Sequence, residues 1–178
     1  MAESRRRRPI DLVLLALGPV LAAAYAAANH AAIRAAVRAQ ITGPEWEGGP
    51  AGAGEMTALG ADTWRLTWWT ALFVGVVAVA YVVIGVLLRR RGRGRTLLLV
   101  LSGVLIVPYA LAFLVALINP VRLLAGLYDS PDFASGVPGW QAGTAFIVLA
   151  AGLAQTAGLA MAASTGRRVA RAGERSTA

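Results

Sequence analysis

The chain has no cysteine and no lysine, one histidine (His30), and charged residues at only 15% of its 178 positions. Without cysteine there is no disulfide, no thiolate metal site and no cysteine nucleophile. Without lysine, a phosphate-binding Walker loop lacks its cation. A lone histidine cannot supply the paired ligands of a zinc protease, and no G-x-S-x-G elbow presents a serine to it. So little charge is also outside the range of an ordinary soluble domain. Only acids and hydroxyls remain for catalysis. No enzymatic activity, metal or cofactor is therefore expected.

What the chain has is apolar length. Hydrophobic residues make up 57% of it and cluster in four runs, at about 10–28, 67–88, 96–118 and 142–163. Each is about 20 residues long, which at helical rise reaches roughly 30 Å, the thickness of a hydrocarbon core. None has the polar face of a soluble core helix. The expected fold is an all-α membrane protein with four transmembrane helices in an up-down bundle, forming a single transmembrane domain.

Arginine placement orients it. Thirteen arginines fall before the first run, between the second and third, and after the fourth; only Arg34, Arg38, Arg65 and Arg122 lie in the other two gaps. By the positive-inside rule both termini are expected in the cytoplasm, with a cytoplasmic loop at 89–95, a cytoplasmic tail at 164–178 and outer loops at 30–66 and 119–140. A multi-pass protein of the cell membrane follows. Arg89, Arg90, Arg91, Arg93 and Arg95 abut apolar spans, so their expected partner is anionic lipid and not nucleic acid. A cleavable signal peptide competes for the first run, with small residues at Ala26 and Ala28. The run is long for such a core and Asp11 interrupts it, which favours retention.

Trp64, Trp68 and Trp69 gather at the outer end of the second run and Trp140 precedes the fourth, so these rings read as interfacial anchors. In the first outer segment, Ile33, Val37 and Ile41 continue helical spacing, so span one is expected either to extend out of the membrane or to lie down on its surface. The glycine- and proline-rich stretch after it predicts a linker without a fold of its own. Asn119 and Pro120 stop the third span, and Asp129 to Pro138 read as turns. Asp129, Ser130 and Asp132 have calcium-compatible oxygens without the EF-hand pattern.

Polar residues within spans carry the remaining site candidates. Asp11 lies in the first turn of span one with Arg7 and Arg8 close by, which predicts a local ion pair. Gln155 and Thr156 sit near the middle of span four. An amide in hydrocarbon must face another helix or a hydrated cavity, so helix glue or a transport path follows. Ser102 and a kink at Pro108 would complete such a path. Small residues line one face of span four (Ala150, Ala154, Gly158, Ala162) and of span one (Gly18, Ala22, Ala26), which predicts close packing between the two spans, within the bundle or against another subunit.

In layout and in its arginine-for-lysine bias, the chain resembles the small four-span integral membrane proteins of GC-rich actinobacteria. That resemblance carries no motif and implies no activity. The first expectation for function is a non-enzymatic scaffold or accessory subunit that binds a partner membrane protein or a second copy. The alternatives are a small transporter or channel component with a polar path near Gln155, and, less favoured, a lipid-modifying enzyme at the outer interface.

Overall fold

The computed structural model describes residues 8–44, 46–48, 55–89 and 95–175. Every element in them is helical: α1 (Arg8–Thr42), α2 (Ala58–Arg89), α3 (Arg95–Val104), α4 (Ile106–Ile118), α5 (Pro120–Leu127), α6 (Pro131–Gly136), a 3-10 turn (Gly139–Thr144) and α7 (Ala145–Arg175). Four stretches are long and apolar enough to cross a membrane: one within α1, one within α2, α3 with α4, and the 3-10 turn with the first part of α7. The four stretches alternate in direction, so the start of α1 and the later turns of α7 lie at one end of the bundle, here called the terminal side, and the end of α1, the start of α2 and the 119–140 segment at the other, the loop side.

The first two helices outrun the bilayer. At 1.5 Å per residue the 35 residues of α1 extend about 52 Å, so its last turns stand clear of a 30 Å core. The Ile33 and Val37 stripe is what holds them helical, because both side chains are buried. Helix α2 begins at Ala58, nine residues before the expected start of span two. The polar residues there did not read as membrane, yet Leu59 and Thr63 are buried among the projecting turns. The Thr57 hydroxyl caps the helix by accepting the Gly60 amide at 3.2 Å, and it donates to Gln40 of α1 at 2.7 Å.

Residues 119–140, expected as a stop and a set of turns, complete a small lobe on these projections. Asn119 takes a left-handed conformation (φ 58°, ψ 76°), and Pro120 opens α5, where its missing N–H costs nothing. Val121 and Ala125 of α5, Phe133 of α6 and Val137 join Ile33, Ala36, Val37 and Leu59 in a second apolar core. Gly136 permits the contact of α6 with α1, since a Cβ there would lie 2.9 Å from Ala36 Cα. The expected linker at 43–54 lies partly outside the described residues, and its Trp46 amide donates to the Gly43 carbonyl in a turn.

The main core lies between the spans and is built from tyrosines and small residues, among them Tyr25, Ala78, Tyr81, Tyr109 and Ala151. Span three is the least covered. Only 11% of its most apolar stretch is buried, against 33–44% for the others, so it packs at the edge of the bundle. It is also interrupted at Leu105. Pro108 has no N–H for the Val104 carbonyl four residues back, and the α-helical pattern breaks beside that carbonyl.

Candidate functional site: a polar clasp in the bundle

Gln155 is fully buried in α7. Its Nε2 donates to the Leu15 carbonyl of α1 at 3.0 Å and to the Ala78 carbonyl of α2 at 2.9 Å, and its Oε1 accepts the Tyr109 hydroxyl of α4 at 2.5 Å. One side chain of the fourth span thus bonds to each of the other three. Both amide donors are used, so the cost of placing this group in hydrocarbon is offset locally.

Two neighbouring residues of span one make the arrangement possible. Pro19, inside α1, has no N–H, which leaves the Leu15 carbonyl four residues earlier without its helical donor. The Gln155 amide takes that donor's place. Gly18 supplies the room, because a Cβ at this position would overlap the Gln155 carboxamide. The same two helices stay close toward the terminal side, where a Cβ on Gly158 would fall 3.1 Å from the Asp11 carbonyl oxygen and 3.2 Å from Leu14 Cβ.

The clasp continues into span three. The Tyr109 ring contacts Tyr81 of α2 at a centroid distance of 5.7 Å, and the Tyr81 hydroxyl donates to the Ser102 carbonyl at 2.9 Å. Ser102 therefore takes part through its backbone. Its hydroxyl turns back to the Leu99 carbonyl at 2.8 Å, and the exposed Thr156 likewise donates to the Gly152 carbonyl at 2.7 Å. Neither hydroxyl faces Gln155 across an open path.

A second network ties the bundle at its loop end. Asn119 Nδ2 donates to Gln141 Oε1 at 2.8 Å, Gln141 Nε2 donates to Asn29 Oδ1 at 2.9 Å, and Asn29 Nδ2 donates to the Tyr25 carbonyl at 3.0 Å. The Thr144 hydroxyl sits beside Asn29, 3.2 Å from its Nδ2, and donates to the Gln141 carbonyl at 2.8 Å. Span one, the end of span three and the start of span four are joined here. Beside them His30 meets Trp64 edge-on at 4.5 Å, and its buried Nδ1 makes no hydrogen bond.

The other residues singled out from sequence are dispersed. Asp11 is buried, with its carboxylate accepting the Leu12 amide at 3.0 Å. Gly18, Ala22, Ala26, Gly158 and Ala162 are buried, Ala154 is half-buried and Ala150 is exposed. Trp64 is half-buried, and Trp68, Trp69 and Trp140 are exposed. Arg89 ends α2 and Arg95 begins α3, while Arg90, Arg91 and Arg93 lie outside the described residues. In the lobe, a cleft of about 230 Å³ is bordered by Gln40, Trp46, Tyr128, Asp129 and Asp132. Ser130, also at this cleft, accepts the Gln40 amide at 3.3 Å. The Tyr128 hydroxyl donates to Asp62 at 3.2 Å, and that carboxylate holds the phenol above its usual range. Among the described residues no three acidic or histidine side chains converge on a metal position.

Sequence reasoning picked Gln155 but missed Pro19, Tyr109, Asn29, Gln141 and Thr144. A proline one residue after a glycine within an apolar run was the available signal, since it marks a freed carbonyl with space beside it. Fold and site together define a multi-pass helical membrane protein with an internally bonded polar centre. No protein-family description, no curated protein and no solved structure matches the chain.

Proposed function

We propose that the chain is a non-enzymatic membrane scaffold or accessory subunit that packs against a partner membrane protein or a second copy of itself. The observation that supports this most is the state of Gln155. A residue lining a water-filled path would keep donors or acceptors free for a passing solute, whereas both Gln155 donors are taken by backbone carbonyls of other spans. A bundle whose central amide is bonded to each of the other three spans, with a sparsely covered third span, fits a protein whose surface is its business.

Mass measurement in mild detergent tests the reading. A dimer or a stoichiometric complex with a co-purifying membrane protein is expected, and a monodisperse monomer with nothing bound would contradict it. The transport alternative predicts a different result, namely loss of flux in Gln155→Leu beyond what its reduced folded fraction explains.

A further inference from the structure

Spans one and two part in the half of the membrane nearer the loop side, leaving a cleft of about 470 Å³ that opens toward lipid. Pro19, Ala23 and Ala26 of α1 and Trp68, Gly75 and Val79 of α2 mark its walls, and apart from the Trp68 indole every side chain lining it is aliphatic. From Trp68 to Val79 is eleven residues, a rise of about 16 Å, or roughly half of a 30 Å hydrocarbon core. Above it the His30–Trp64 contact draws the two helices together again. The cleft therefore runs from headgroup level to about the midplane and stops. A transmembrane helix would need a groove along the whole span, whereas an acyl chain of one leaflet needs this length.

Gly75 marks the same space from another direction. A Cβ built there meets nothing within 4 Å. Glycine in the middle of a helix costs about 1 kcal/mol relative to alanine, and no contact within the chain uses the room it leaves. The surface around the mouth is continuous with the lipid-facing sides of α1 and α2, and it carries positive charge. On α2, Arg65 shares the exposed stripe of Trp68, Leu72, Val76 and Val79, and among the described residues it pairs with Asp62 one turn earlier at 3.5 Å. On α1, Arg34 stands two turns beyond Ala26 on the flank that also exposes Ala23. Helical side chains lean toward the N-terminus of their helix, which for Arg34 is toward the cleft.

We propose that this cleft is a lipid site: it seats one acyl chain of a phospholipid from the loop-side leaflet, whose phosphate lies between Arg65 and Arg34. The chain fills a void that would otherwise lack dispersion contacts, and the guanidiniums select an anionic headgroup. This does not depend on the scaffold reading and adds a ligand to it.

The test uses the full chain in phosphatidylcholine nanodiscs doped with phosphatidylglycerol that carries brominated acyl chains. Bromine quenches indole emission, and the difference between wild type and Trp68→Phe isolates Trp68. A site predicts that Trp68 emission falls to a plateau at a low mole fraction of phosphatidylglycerol, with one such lipid retained per chain in native mass spectrometry. Gly75→Leu, whose Cβ meets nothing within 4 Å and whose longer side chain occupies the cleft, should weaken retention about tenfold or more. Arg34→Gln with Arg65→Gln should cut the preference over phosphatidylcholine about tenfold while leaving a chain bound. Quenching of wild type that rises only in proportion to the lipid present would overturn the proposal, and this curve needs no variant to fold. So would unaltered retention in Gly75→Leu, or a second protein copy held at the cleft in place of lipid and dispersed by that substitution.

Discussion

Gln155, Pro19 and Gly18 form one unit, and substitutions among them should not be additive. Gln155→Leu leaves the Leu15 carbonyl and the Tyr109 hydroxyl without their partners. It is expected to destabilise the bundle by about 1–2 kcal/mol, between the modest net value of interhelical bonds in membranes and the larger cost of a buried unsatisfied group. Pro19→Ala gives residue 19 an N–H of its own for Leu15. In the Gln155→Leu background it should therefore restore about 0.5–1 kcal/mol, a coupling that a double-mutant cycle in detergent can resolve. Equal effects of Pro19→Ala in both backgrounds would mean that the amide does not replace the proline's missing donor. Gln155 was legible in the sequence because an amide stands out in an apolar run. Its partners were not, because two of them are backbone carbonyls, and which carbonyl a distant amide reaches depends on how the helices are rotated.

Helix lengths were partly legible. The 3.6-residue stripe of Ile33, Val37 and Ile41 forecast that the helix of span one continues, either out of the membrane or along its surface, and hydropathy forecast four apolar helices long enough to cross a membrane, which are present. The early start of α2 was hidden, since Asp62, Thr63 and Arg65 read as loop until the projecting end of α1 gives Leu59 and Thr63 something to pack against. Helices α5 and α6 were hidden for the same reason. Each is too short to be stable alone, and α5 owes its direction to a single residue. Asn119 supplies the left-handed turn, accepts the Arg122 amide at 3.5 Å and donates to Gln141. Asn119→Ala should cost about 1–2 kcal/mol, since alanine tolerates positive φ poorly and the Gln141 bond is lost. Because the lobe hangs on this turn, hydrogen exchange should quicken in residues 120–136 more than in 145–163. A uniform change across both segments would mean that Asn119 does not set the lobe's attachment.

The whole molecule is a closed bundle with two polar ties, one near its centre and one at its loop end, and with surplus helix on that side gathered into a lobe. Its arginines are the part of the sequence that speaks to orientation. In the sequence thirteen precede span one, separate spans two and three or follow span four, and four lie in the other two gaps, so the terminal side is expected to face the cytoplasm. The absence of native cysteine makes this directly measurable, because single cysteines at Ala53, Gly92 and Ala172 can each be offered an impermeant thiol reagent on intact cells. Four crossings with both ends inside predict labelling at position 53 alone, with 92 and 172 reacting only after the membrane is opened. Labelling of 92 in intact cells, or of 53 and 172 together, would contradict the four-span arrangement on which everything else rests.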